Sequence, residues 1–245
     1  MTTHAWQEQF RRTAYSWLLG DFPPEQFPVV AIIPFENPDL FDPEPLASKL
    51  TNKTKVGSFI IGQHKNISVA ISSPKFGAPA VAMAIDVLGL TDVQKIIGIG
   101  YCGRLTGDMK CGDLIIPTAS FIDEGTSHLY KNNQNIVSAD SFMIQKFLQK
   151  AMHLGVRVHS GPIWSTDGIL RESEDKIRSF RAKGAIAVDM ESSAAFTVGA
   201  FFHKHVASVL VCSDNPVTNE QADLNGLRRG YGQAIHLALE TIASS

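Results

Sequence analysis

Cysteine, charge of a single sign and long apolar runs are all scarce in this chain of 245 residues, and each shortage removes a class of protein. The three cysteines, Cys102, Cys111 and Cys212, are an odd number without metal-ligand spacing, which argues against a disulfide framework or a structural zinc site and points to a reducing compartment. Lys and Arg total 22 against 24 Asp and Glu, scattered along the chain, so the net charge of −2 leaves no electrostatic footprint for a nucleic acid. No apolar stretch approaches the ~20 residues of a membrane span, and the segment from His4 to Arg12 is too polar for a secretory signal. Internal repeats are missing as well. The expectation is a soluble, cytoplasmic protein with a small neutral or anionic substrate and no metal, membrane or nucleic-acid partner.

What is present is alternation. The run Val29-Val30-Ala31-Ile32-Ile33 reads as a strand buried on both faces and ended by Pro34. Further strands are expected at Val56–Ile61, Ile67–Ser72, Lys95–Ile99, Leu114–Ile116, Ala185–Val188 and Ala207–Cys212. Between them, Val81, Ile85 and Leu88 recur at helical spacing, Met190–Phe202 is apolar almost all round, and Leu224, Leu227, Tyr231, Ile235, Ala238 and Ile242 make a terminal amphipathic helix beginning near Asn219. A short helix and the Asp21-Phe22-Pro23-Pro24 turn precede all this, so residues 1–28 read as an N-terminal helical extension and 29–245 as one catalytic domain. Strands alternating with helices imply an α/β layer architecture, in which ligands bind beyond the carboxyl ends of the strands.

Three groups of acids sit at such ends: Glu36, the pair Asp189 and Glu191 around Met190, and Asp214. A carboxylate desolvated at a strand end is costly unless it holds a polar ligand or pairs with a donor. The vicinal hydroxyls of a sugar would suit Glu191. By contrast, Gly98-Ile99-Gly100-Tyr101-Cys102-Gly103 satisfies the dinucleotide fingerprint, with Asp123 about twenty residues on, but Arg104–Gly112 has no helical stripe. That segment reads instead as a glycine-rich loop that lets a ligand or a second chain approach the backbone.

Taken together, Ser73-Pro74-Lys75-Phe76-Gly77-Ala78-Pro79, Gly100–Gly103, Gly112–Pro117, Asp123–His128, Ser165–Gly168, Val188–Glu191 and Val211–Asp214 resemble the nucleoside phosphorylase family, which includes uridine and hexameric purine nucleoside phosphorylases. The likeness spans roughly residues 29 to 240. It implies a single-domain, three-layer α/β fold around a central mixed, partly barrel-like sheet, cleavage of a nucleoside's N-glycosidic bond through an oxocarbenium-like transition state, and no cofactor. It also implies a homo-oligomer, dimer or hexamer, in which neighbours complete the sites.

On this resemblance Glu191 accepts hydrogen bonds from the ribose hydroxyls, Met190 packs on the sugar, and Asp189 stands where many members carry a longer glutamate; the alternative for Asp189 is a helix cap. Asp214 matches the aspartate that protonates a purine ring nitrogen as the base leaves, with Ser213 beside it, which favours a purine or purine-like base over uracil. Thr166, Asp167 and Ile169 fall in the base-proximal segment. There Ile169-Leu170 replaces an aromatic, so that stacking would come from Trp164 or Phe121, and Arg171–Asp175 lacks the pair that reads uracil.

The acceptor region departs from the family. Phe35 stands at the glycine and Asp39 near the arginine of the first loop; in the later loop Gly98 stands at the arginine and Tyr101 at the hydroxyl. Losing two guanidinium forks removes the contacts best suited to phosphate. Lys75 and Gly77 in the glycine turn, and Lys53, near a position donated by a neighbouring subunit in some members, are the candidates for rebuilding an anion site. Phosphate is the family's default acceptor; water is the alternative, with Glu36 as general base, and a nucleoside-binding protein without turnover is a third possibility.

Overall fold

The structure is a computed structural model and describes residues 3–35, 44–130, 134–218 and 220–243. In chain order its elements are α1 (Thr3–Leu19), β1 (Val30–Phe35), α2 (Glu44–Ala47), β2 (Thr51–Val56), β3 (Phe59–His64), β4 (Ile67–Ser72), α3 (Ala78–Leu88), β5 (Lys95–Arg104), β6 (Leu114–Asp123), β7 (Ile136–Ser138), α4 (Ser141–Leu154), β8 (Val158–Thr166), α5 (Glu174–Ala182), β9 (Ala187–Asp189), α6 (Ser192–Phe201), β10 (His205–Asn215), β11 (Glu220–Gln221) and α7 (Leu224–Ile242). Among the described residues no helix is long and apolar enough to cross a membrane.

One mixed sheet carries the molecule. From its outer edge it runs β2-β3-β4-β1-β5, and from β5 it closes on itself through β9, β8, β6 and β10, because β10 pairs with β6 on one side and with β5 on the other. The result is a ring of five strands with an open wing. Side chains of β1 alternate between two layers: Ala31, Ile33 and Phe35 join the core under α1, α3 and α6, while Val30 and Ile32 join the core under α4 and α7. Burial on both faces is why this strand is a continuous apolar run rather than an alternating one.

Several elements differ from the sequence expectation for identifiable reasons. Pro34 does not end β1; it stays in the strand opposite Ile99. The register of β1 with β4 stops at Ile32, so the proline's missing N–H falls beyond that ladder, and its carbonyl accepts from the Lys75 amide at 2.8 Å. Val56–Ile61 is not one strand but the end of β2, a turn at Gly57-Ser58 and the start of β3. The segment Gly98–Gly103 is not a loop, since β5 continues through it to Arg104, which also removes the dinucleotide reading. Strands β7 and β8 went unexpected; β8 contains His159, Ser160, Gly161 and Pro162, which mask its period, and the proline lies where its register with β6 shifts. The terminal helix starts at Leu224, where the Asp223 side chain caps it, and Asn219 lies outside the described residues.

The glycines of β5 have a steric cause. A Cβ on Gly98 would lie 2.2 Å from the Phe35 ring, and one on Gly100 would lie 2.4 Å from the Phe35 carbonyl oxygen. Gly98→Ala should therefore lower stability by about 1–3 kcal/mol, the range for overpacking a tight core. Chemical denaturation would read it, and a Phe35→Ala background should return part of the loss. An equal loss in both backgrounds would show that the ring is not what demands glycine.

Candidate functional site

The carboxyl ends of β1, β5, β9 and β10 converge on an open cavity of about 630 Å³, lined elsewhere by the turn at 168–173 and by Pro216, Gln221, Ala222 and Leu227. That volume suits a nucleoside-sized ligand. A bulge helps to build it: the register of β10 against β5 shifts between Cys212 and Asp214, leaving Asp214 opposite Gly103 and turning both Ser213 and Asp214 to the cavity wall.

At the strand-to-helix junction of β9 and α6, Asp189, Met190 and Glu191 all line the cavity. Glu191 is 4% exposed, and its two oxygens accept from the backbone amides of Gly77 at 2.7 Å and of Met190 at 3.1 Å. A carboxylate offers about four acceptor sites, so two are left for a ligand's hydroxyls. Gly77 makes this possible by adopting φ +83, ψ 158, a backbone region open essentially to glycine. Asp189 is engaged differently: Ser165 Oγ donates to one of its oxygens and the Ser192 amide to the other at 3.0 Å. It ties the first turn of α6 to β8. Burial, and then the charge of Asp189, push the Glu191 carboxyl well up; burial also raises Asp189.

Asp214 accepts from the Ser213 hydroxyl at 2.6 Å on Oδ1, and among the described residues Oδ2 has no partner. Facing it is an acid that sequence reasoning passed over. Glu172 lines the same cavity, and burial together with the charge of Asp214 pushes it up to about 7. Ile169 and Leu170 form the wall beside it.

Thr166 and Asp167 do not line the cavity. The Thr166 hydroxyl accepts from the Gly168 amide at 3.3 Å, and Asp167 accepts from the Gly125 amide at 3.0 Å. Both side chains are used to shape the loop. Neither Trp164 nor Phe121 reaches the cavity either; Trp164 is fully buried, stacks on Phe180 at 4.4 Å and donates to Asp123, while Phe121 packs against the same ring. The aromatics on the cavity wall are Phe35, Phe76 and Tyr101.

The acceptor candidates are dispersed. Tyr101 lines the cavity and stacks on Tyr231 at 5.6 Å. Gly98 lies under the Phe35 ring. Lys75 is 7% exposed but turns its Nζ back on its own turn, donating to the Ser73 carbonyl at 2.9 Å and hydroxyl at 2.6 Å, and burial lowers its pKa. Lys53 is exposed on β2, the outer strand of the wing. Glu36 and Asp39 lie outside the described residues. The guanidinium of Arg104, one residue past Gly103, is paired with Glu220 and the Thr106 carbonyl. Among the described lining residues there are thus four carboxylates, Glu172, Asp189, Glu191 and Asp214, and no Lys, Arg or His.

A sequence profile described as the Phosphorylase superfamily matches residues 32–241. The chain belongs to that superfamily. A protein named DeoD-type purine nucleoside phosphorylase from Thermoanaerobacter sp. (strain X514) is 26% identical over 181 residues, covering 73% of this chain and 78% of the relative. One of the same name from Buchnera aphidicola subsp. Schizaphis graminum is 27% identical over 192 residues, covering 78% and 81%. Among solved structures, uridine phosphorylase from Vibrio fischeri ES114 superposes with a TM-score of 0.80 at 24% identity, covering 90% of this chain and 94% of that one. The fold is that of this superfamily, a mixed α/β domain around a closed five-strand ring, and the chain is nucleoside phosphorylase-like.

The buried acids give this phosphorylase-superfamily chain a pH signature. A carboxyl raised in the folded state keeps a proton that the unfolded chain has already lost, so stability falls as pH rises from the ordinary carboxylate range through the folded value. The apparent melting temperature should be higher at pH 6 than at pH 8, and Glu191→Gln should shrink the difference. A pH slope unchanged by that substitution would show that Glu191 is ionised in the folded protein over the whole range.

Proposed function

We propose that this protein hydrolyses the N-glycosidic bond of a purine-like nucleoside, with water as the acceptor. The observation that carries the choice of acceptor is the lining of the cavity: four acidic residues and no cation among its described lining residues, with the Phe35 ring over Gly98 where the resemblance expects an arginine. A phosphate dianion there would have no guanidinium or ammonium group to offset its charge.

In this reading the ribose hydroxyls donate to Glu191, whose free acceptor sites face the cavity. Met190 packs on the sugar, and Asp189 positions the junction rather than touching substrate. Asp214 donates a proton to a ring nitrogen of the base, so that the glycosidic electron pair leaves with a neutral base. A water oxygen bonds to the anomeric carbon, and its proton passes to Glu36, which follows the cavity-lining Phe35 directly in sequence. Held geometry and directed charge supply the acceleration.

A second reading, phosphorolysis, is favoured by the names of the relatives. It would require an anion site completed by another subunit, for which exposed Lys53 is the candidate. Incubating the protein with adenosine, inosine, guanosine and uridine, with and without phosphate, and resolving free base, ribose and ribose 1-phosphate separates the two. Hydrolysis predicts ribose at a rate indifferent to phosphate; ribose 1-phosphate formed only with phosphate would overturn it. Asp214→Asn and Glu191→Gln should each lower kcat/KM by about 10²–10⁴-fold, the scale of a lost proton donor or transition-state contact. Glu36→Gln should lower hydrolysis while leaving nucleoside binding intact.

A further inference from the structure

Of the four carboxylates on the cavity wall, three are held by the protein itself. Asp189 accepts from Ser165 and Ser192, Glu191 from Gly77 and Met190, and Asp214 from Ser213. Glu172 differs: no described residue donates a hydrogen bond to its carboxylate or forms an ion pair with it. It is nevertheless delivered to the cavity by an ordered turn. The Arg171 amide donates to the Gly168 carbonyl at 2.7 Å, the Ser173 amide to the Arg171 carbonyl at 2.9 Å, and Ser173 then caps α5 through its side chain.

The wall around it groups it with Asp214. Pro216 and Asp214 both stand against Gly103, and Glu172 follows Ile169 and Leu170 in the lining of the same cavity, so this wall offers a flat ring apolar side chains that make no hydrogen bonds. The charge of Asp214 also acts on Glu172, whereas that of Asp189 acts on Glu191. An ionised carboxylate is an acceptor only, and this half-buried one, without a donor from the described residues, keeps its acceptor sites open on the cavity wall for a ligand's N–H. A ligand donor is what this position lacks.

We propose that Glu172 is a specificity-determining residue that reads the six-membered ring of the base, accepting a hydrogen bond from a ring N–H or an exocyclic amino group while Asp214 serves the other ring. The substrate class is then purine nucleosides that carry a donor on the six-membered ring. This rests on the nucleoside-cleaving reading above. The carboxyl's raised pKa fits the same picture: burial is the first of its causes, and a ligand donor bound at the carboxyl would favour its ionised form.

The test compares kcat/KM for inosine and adenosine with that for purine riboside, which lacks both donors, in the wild type, Glu172→Leu and Glu172→Gln. The ratio within each protein cancels general damage to the fold, and comparing that ratio between proteins cancels the intrinsic reactivity of each nucleoside. The wild type should favour at least one donor-bearing substrate by about tenfold or more relative to the Glu172→Leu ratio, as sites built around a hydrogen bond do. Glu172→Gln, which keeps an acceptor oxygen, should retain part of the preference. A ratio unchanged in Glu172→Leu overturns the proposal even if turnover is robust. If no nucleoside is cleaved, the nucleoside-cleaving reading fails by itself, and the same ratios are read from calorimetric binding of hypoxanthine, adenine and purine. Equal binding in wild type and Glu172→Leu, or no binding of any base, then overturns the role of Glu172 as well.

Discussion

Strand β5 must pair with β1 and β10 along its two edges and with β9 at its last two residues, and the site is a consequence of that triple pairing. Closing the ring brings the ends of β1, β5, β9 and β10 to one rim, which is why Phe35, Tyr101, Asp189 and Asp214 share a cavity although they are spread over 180 positions of sequence. The closure leaves little room. Gly98 and Gly100 lie against Phe35, and Gly103 faces Pro216, Val188 and Asp214 Oδ2 at 3.2 to 3.4 Å from where a Cβ would stand. These glycines are demanded by neighbouring strands and side chains, not by a ligand's phosphate, and this is the physical reason a dinucleotide-like pattern occurs here in a strand.

The rim is electrostatically unfavourable before a ligand arrives. Four carboxylates face one cavity, and the fold answers only part of the repulsion with backbone amides from Gly77, Met190 and Ser192 and hydroxyls from Ser165 and Ser213. Asp189 and Glu191 stand at the start of α6, where its dipole favours negative charge. Such an arrangement lowers the stability of the empty protein and favours ligands that bring donors, which is the usual relation between a strained charge cluster and a site. Hydroxyls of a sugar and N–H groups of a base meet that demand; an anion adds to it.

Much of this was legible in the sequence where the cause is local. The buried strand at Val30, the helix carrying Val81, Ile85 and Leu88, and the acids at 189, 191 and 214 follow from periodicity and from the cost of desolvating a carboxylate. What was not legible depends on pairing across the ring. Pro34 continues a strand because its N–H side has no partner to lose, and β8 is a strand despite His159, Gly161 and Pro162 because β6 supplies its ladder. Glu172 was hidden for a similar reason. In sequence it is one acid among Glu172, Glu174 and Asp175, and only the turn at 168–173 separates the one that faces Asp214 from the two that begin α5.

The departures in the acceptor region are also better understood as one change than as two. Where the resemblance expects a glycine there is Phe35, and where it expects an arginine there is Gly98, and these two residues are in contact. The ring fits only because position 98 has no side chain; an arginine at 98 fits only if the ring is gone. Restoring either residue by itself would overpack the rim or leave a void beneath it, so neither single reversion recreates an anion site. In the proposed function, the choice of what attacks the sugar is therefore bound to core packing between β1 and β5. The groups proposed to hold the sugar and the base hang from β9, β10 and the 168–173 turn, outside that contact, and can stay as they are while the acceptor changes.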